Sequence, residues 1–185
     1  MKLIILDRDG VINQDRDDFV KSADEWVPIE GSMDAIAFLS EAGYTVAVAT
    51  NQSGIGRKYF TVQELTEMHN KMHRLVQQAG GQIDGIWFCP HTAVDECDCR
   101  KPKPGMVYDI IDRFSAKAEE TYMVGDSLRD LQAIDAAGGK PVLVLTGKGK
   151  KTLATEGDNL PEQTQIFDDL MAFSQYMMQL ESEKA

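Results

Sequence analysis

The sequence predicts an α/β fold of the Rossmann-like, doubly wound kind: a mainly parallel sheet with helices on both faces and no large cap domain. Three observations predict it. Short apolar, β-rich runs alternate with helical patterns along most of the chain. The first run, Lys2–Leu6, holds four apolar residues in succession rather than in alternation, the pattern of a strand buried on both faces. Acids or hydroxyls follow directly on three of the early strands, where ligands gather in a parallel sheet.

After Lys2–Leu6, apolar residues at helical spacing run over Met33–Ala42, and Gly43 stops them. Thr45–Thr50 reads as the second strand. Thr61–Ala79 reads as a long helix, with Thr61 as N-cap, Glu64 as its capping-box partner and Gly80-Gly81 closing it. Ile86–Cys89 is a short strand and Gly105–Phe114 a helix opened by Pro104. Thr121–Val124, Leu128–Ala137 and Val142–Leu145 continue the strand–helix–strand order, and Glu162 to about Leu180 reads as a closing helix. Such an order implies right-handed crossovers. The segment from Asp9 to Met33 is too short for a large cap, so Asn13–Glu30 is expected to overhang the strand ends as a loop. Residues 1–185 read as a single domain, with no internal repeat.

Apolar residues make up 43% of the chain and charged residues 26%, an ordinary globular balance. The net charge of -11 argues against a nucleic-acid partner, which needs basic surface. A small anionic substrate remains compatible with it, because a metal ion and a few local cations reverse the field inside a cleft. No apolar run approaches the roughly 20 residues of a membrane span. Leu3–Leu6 is too short for a signal-peptide core. The expectation is a cytoplasmic monomer with neither nucleic-acid nor membrane partner.

Asp7 and Asp9 stand two residues apart at a strand exit, with Gly10 permitting a tight turn, and Asp126 leaves a second strand in the same way. Each alone is an ordinary turn or cap residue. Together at strand ends their repulsion calls for a cation, and oxygen-rich positions suit Mg²⁺. A hard cation beside a nucleophilic carboxylate is what phosphoryl transfer requires. Thr50-Asn51-Gln52-Ser53 can cradle an anion. Lys101, in Arg100-Lys101-Pro102-Lys103-Pro104, is a cation held in a pre-set extended segment.

The three cysteines are crowded into Cys89-x-His91-x₅-Cys97-x-Cys99. Three thiols and an imidazole make a complete tetrahedral set, so a structural Zn²⁺ is expected, fixing the loop that carries Arg100 and Lys101. His69 and His73 are one turn apart but lack the Glu of a zinc-protease helix, and Gly147–Lys151 lacks the spacing of a P-loop. Neither is assigned a catalytic role.

Taken in order, Asp7-x-Asp9-Gly10-x-Ile12, Thr50-Asn51-Gln52-Ser53, Lys101-Pro102 and Gly125-Asp126-x-x-x-Asp130 resemble the four motifs of the haloacid dehalogenase superfamily. The second Asp, Asp9, is similar to that of its phosphatases. The Cys-Pro-His and Cys-x-Cys-Arg-Lys-Pro segments resemble its histidinol-phosphatase and heptose-bisphosphatase branch. The resemblance implies a phosphatase acting on a small phosphorylated sugar or similar metabolite. Asp7 is then the nucleophile, Asp9 the general acid and base, and Thr50 and Lys101 the holders of the phosphoryl oxygens. It also implies that Mg²⁺ lies on Asp7, Asp126 and the Asp9 carbonyl, with Asp130 in support. Asn51, Gln52, Ser53, Arg100 and the loop residues Asp15, Arg16, Asp17 and Asp18 are implied to meet the substrate. One departure is Ser127, where many relatives carry Lys.

Overall fold

A computed structural model describes residues 1–183. Its centre is a six-stranded sheet of β1 (Leu3–Leu6), β2 (Thr45–Asn51), β3 (Gly85–Cys89), β4 (Tyr122–Gly125), β5 (Lys140–Val144) and β6 (Gln165–Phe167). The spatial order is β3-β2-β1-β4-β5-β6, and every pairing is parallel. The helices are α1 (Ser32–Glu41), α2 (Ser53–Gly56), α3 (Val62–Gln78), α4 (Gly105–Arg113), α5 (Leu128–Ala136), α6 (Gly149–Glu156) and α7 (Leu170–Ser182). This is the doubly wound architecture expected.

Strand β1 explains why a run without alternation was needed. All four residues are fully buried, and successive side chains enter opposite cores. Ile4 and Leu6 pack with Ile36, Leu39, Met68, Met72 and Phe173 from α1, α3 and α7. Leu3 and Ile5 pack with Met106, Val107, Ile110 and Ile134 from α4 and α5. The long helix α3 is closed at its start by the predicted capping box: Glu64 N donates to Thr61 Oγ1 at 3.2 Å and Thr61 N to Glu64 Oε2 at 2.7 Å.

The closing helix over Glu162–Leu180 requires correction. Its first part is the edge strand β6, paired with Val142–Val144, and α7 begins only at Leu170. Asp169 caps it, its side chain accepting from Ala172 N at 2.8 Å. A three-residue strand is too short to show a period of its own, so pairing with β5 decides it. Helix α6, which begins inside Gly147–Lys151 and runs on to Glu156, and the short α2 were also unexpected.

The chain runs outward from β1 to β2 and β3 on one side and to β4, β5 and β6 on the other. The switch point therefore lies between β1 and β4, and a crevice opens beyond their carboxyl ends.

Candidate active site

Asp7 leaves β1 and Asp126 leaves β4, side by side across that switch point. Register brings them together: Leu6 pairs with Val124, and Asp7 N donates to Val124 O at 2.9 Å. Carboxylate oxygens of Asp7, Asp126 and Asp130 lie within 4.8 Å of one another. Gly10 supplies the turn at φ 87°, and a Cβ there would meet Asp126 Oδ2 at 2.0 Å, so only glycine lets the chain pass.

Burial and mutual repulsion define the electrostatics. Burial, then Asp130, push the Asp7 carboxyl up to about 6 against the pull of Lys101. Burial, then Asp7, push Asp126 up to about 8. Oxygen donors so crowded and so reluctant to ionise together fit a hard divalent cation such as Mg²⁺.

Lys101 is buried within this cluster. Its ammonium reaches Asp7 Oδ1 at 2.9 Å, Asp130 Oδ1 at 2.7 Å and Ala49 O at 2.7 Å. Asn51 clamps the Lys101 backbone from both sides, donating to Lys101 O at 3.0 Å and accepting from Lys101 N at 3.1 Å. Asn51 and Gln52 line the cleft, but their side chains are occupied with protein. Gln52 Nε2 donates to Asp9 Oδ2 and to Thr50 Oγ1, each at 2.9 Å. Thr50 itself is buried, and Ser53 opens α2 at the cleft wall.

Asp9 is held by four side-chain donors from three residues. Arg8 Nε, Arg8 Nη2 and Asn13 Nδ2 reach its Oδ1 at 3.2, 2.9 and 2.8 Å, and Gln52 takes Oδ2. Burial works against ionisation here, yet the Arg8 guanidinium and these hydrogen bonds hold the carboxyl below its usual range. Arg8 is fully buried and can only donate, so His69 Nε2, 3.2 Å from Arg8 Nη1, is the acceptor. Burial, then Arg8, press the His69 imidazole down to about 3. The histidine left without a catalytic role thus buttresses the Arg8–Asp9 pair.

The cleft has a volume of about 250 Å³. The loop after Asn13 overhangs it as expected, and Asp15, Arg16 and Asp17 line it. Asp18 does not. It is exposed and turned outward, paired with Arg16 at 2.9 Å and Lys21 at 3.2 Å. Five cleft residues were missed: Phe19 and Val20 in the overhanging loop, and the cations Arg57 after α2, Arg129 in the first turn of α5 and Lys148 before α6. Lys148 N donates to Asp126 Oδ2 at 2.8 Å, and its ammonium meets Asp15 at 3.3 Å across the mouth. No period or motif marks a loop cation of this kind. Ser127 is outside the cleft lining: its N and Oγ donate to Asp130 Oδ2 at 3.1 and 2.8 Å, capping α5.

The cysteines form the second cluster. Cys89 Sγ lies 3.1 Å from Cys99 Sγ, 3.6 Å from Cys97 Sγ and 3.6 Å from His91 Nδ1. A tetrahedron with metal–sulfur arms of about 2.3 Å has edges of about 3.7 Å, so the four donors fit a Zn²⁺ ion. Arg100 lies directly beyond, donating from Nη1 to His91 O at 3.3 Å while lining the cleft.

The family model for haloacid dehalogenase-like hydrolases matches residues 2–138. The chain belongs to that family. A Neisseria meningitidis serogroup A protein named D-glycero-beta-D-manno-heptose-1,7-bisphosphate 7-phosphatase is 80% identical over 179 residues, which cover 97% of this chain and 96% of its own. A Bordetella bronchiseptica protein of the same name is 54% identical over 179 residues, 97% of this chain and 99% of that one. The crystal structure of the D,D-heptose 1,7-bisphosphate phosphatase from B. bronchiseptica, complexed with magnesium and phosphate, superposes with a TM-score of 0.94 at 53% identity, covering 97% of this chain and 99% of that chain. No helix among the described residues is long and apolar enough to cross a membrane.

Proposed function

We propose that this chain is a Mg²⁺-dependent phosphoric monoester hydrolase that removes the 7-phosphate of D-glycero-D-manno-heptose 1,7-bisphosphate through an aspartyl phosphate on Asp7. The observation that carries the chemistry is Asp7 at a central strand end, 2.9 Å from the Lys101 ammonium, with Asp126 at the neighbouring strand end and Asp9 two residues on. The substrate follows from the 80% identical relative.

Asp7 Oδ attacks phosphorus, and the bond from phosphorus to the sugar oxygen breaks. Asp9 protonates that leaving oxygen, and heptose 1-phosphate departs. A phosphate dianion beside Asp9 opposes the ionisation that Arg8 favours, which supports Asp9 carrying a proton at this step. Water then attacks phosphorus, Asp9 takes its proton, and Asp7 and inorganic phosphate are released. Lys101, backed by Asp130, and Thr50 hold the phosphoryl oxygens as charge rearranges. When bound at Asp7, Asp126 and the Asp9 carbonyl, Mg²⁺ supplies positive charge to the reacting phosphoryl group.

Cys89, His91, Cys97 and Cys99 would hold Zn²⁺ structurally, with no open position for chemistry. Arg100, on the loop so fixed, would bind the distal phosphate or sugar hydroxyls, and Ser53, Asp15, Arg16 and Asp17 would meet the rest of the sugar. Reduced thiols and a phosphorylated sugar suit the cytoplasm. Such a reaction would serve the supply of nucleotide-activated heptose for lipopolysaccharide core.

Phosphate release measured across heptose bisphosphate, histidinol phosphate, other sugar bisphosphates and a 3′-phosphorylated nucleotide tests the assignment. Heptose bisphosphate should have the highest kcat/KM. A preference for histidinol phosphate would replace the heptose assignment.

A further inference from the structure

The cations of the cleft differ in what already holds them. Lys101 is committed to Asp7, Asp130 and Ala49 O. Lys148 pairs with Asp15, Arg16 with Asp18, and Arg100 donates to a backbone carbonyl. Arg57 lines the cleft rim but is exposed. Arg129 stands apart. It lines the cleft from the first turn of α5, it is largely withdrawn from solvent, and its Nε is buried without a hydrogen-bond partner among the described residues.

A guanidinium in this position is costly unless something completes it. Burying a donor without an acceptor loses its hydration and gains nothing in return. The charges facing Arg129 are Asp130 on its own helix, Asp7 from β1, Asp126 from β4 and Asp15 from the overhanging loop. None of the four pairs with it closely, yet two of them, Asp7 and Asp126, bracket the point where phosphorus must arrive. Attraction without contact places the guanidinium beside the reacting centre with its donors uncommitted. A phosphoryl group seated on Asp7 brings the missing acceptors, and the planar fork of arginine matches two of its oxygens.

We propose that Arg129 is a further catalytic residue, donating to non-bridging oxygens of the phosphoryl group transferred to Asp7. The inference rests on the phosphatase reading and adds a role for a residue that no motif marks. Arg129 then acts on any phosphate monoester in the cleft, whether or not the ester carries a second phosphate. That separates it from Arg100, whose proposed role depends on the distal group.

The test uses Arg129→Ala and Arg129→Lys in the full-length, zinc-loaded protein. Each is measured with heptose bisphosphate, with an aryl phosphate that lacks a second phosphate, and for inhibition by inorganic phosphate. Removing one preorganised donor should lower kcat/KM on the order of 100-fold for Arg129→Ala, by a similar factor for both esters. The inhibition constant for phosphate should rise together with it, and Arg129→Lys should recover part of both. Melting temperature and zinc content should match wild type, because the substitution removes an unpartnered buried donor. Loss confined to the bisphosphate would place Arg129 at the distal group and overturn the proposal. Unchanged kinetics and phosphate inhibition would do the same, leaving Arg129 to balance charge alone. If wild type released phosphate from neither ester, the phosphatase reading would fall first and this inference with it.

Discussion

Two clusters of metal-seeking side chains lie at the same end of this sheet, and they are built in opposite ways. The carboxylate centre draws on Asp7 and Asp126, far apart in sequence, and joins them through the register of β1 against β4. The sulfur centre takes all four donors from the single loop Cys89–Cys99, with only Cys89 anchored in a strand. The hydrogen-bonded sheet holds the first whether or not metal is present. In the second the three sulfurs sit at the edge of the core, but the chain between Cys89 and Cys99 has no regular structure, and its shape depends on the ion that its donors suit. Chemistry that needs accurate placement sits on the rigid frame. The loop needs only to present Arg100 and to start Lys101 on its way to Asp7.

The sharpest way to break this contrast is to damage each centre and read both. Asp7→Asn should lower turnover on the order of 10⁴-fold or more, because an amide cannot accept the phosphoryl group. Zinc content should stay at the wild-type value, and the melting temperature should not fall, because the substitution removes a charge from the crowded cluster. A variant with residual turnover near wild type would remove Asp7 from the mechanism.

Cys97→Ser should act in the other direction. Zinc measured by elemental analysis should fall well below one ion per chain. Activity should drop by roughly 10- to 100-fold as the loop loosens, the scale of losses around perturbed metal sites. Far-ultraviolet circular dichroism should show the sheet intact. Full activity in zinc-free protein would show that the loop holds its shape unaided.

A smaller effect is expected at the junction of the two centres. Arg100→Ala should cut the preference for a sugar bisphosphate over the matching monophosphate by about 10-fold, the worth of one charge-assisted contact. The rate on the monophosphate should change little. An unchanged ratio would mean that the loop presents Lys101 alone.

The mildest probe is pH. Asp126 has its carboxyl raised from 3.8 to about 8, and Asp7 from 3.8 to about 6, before any metal binds. Between those limits the folded, Mg²⁺-free protein holds protons that the unfolded chain has released. These two carboxyls therefore lower stability as pH rises from about 4 to about 8, and the decline is clearest above 6.5, where the depressed His69, protonated only in the unfolded chain below that pH, no longer opposes it. Thermal melts of zinc-loaded protein without Mg²⁺ should show that decline, and added Mg²⁺ should reverse most of it at pH 8. A flat profile would mean that Lys101 and Arg129 already neutralise the cluster.

Much of the fold was legible in the chain. Short apolar runs located five of the six strands and helical periods most of the helices, because a strand buried on both faces shows as an unbroken apolar run and a long helix shows its own period. The three residues of β6 are too few, and their conformation comes from hydrogen bonds to β5. In the candidate site, Asp7, Asp9, Asp126 and the thiols could be named because their chemistry is local: acids at strand exits, and four soft donors in one loop. The orientation of Asp18 could not be read, since its neighbours Arg16 and Lys21 turn it outward.

The sequence by itself thus determined the fold class, the reaction class and the identity of the polar groups, all of which depend on residue type and short-range spacing. Tertiary structure alone decided what those groups do to one another. It set Arg8 and His69 behind Asp9, made cleft-lining Asn51 a clamp on the Lys101 backbone, and brought Lys148 to Asp126. The same packing left Arg129 in the cleft with a buried nitrogen that has no hydrogen-bond partner among the described residues. Each outcome depends on distances of about 3 Å between segments remote in sequence, and only the packing of the sheet and its crossovers sets such distances.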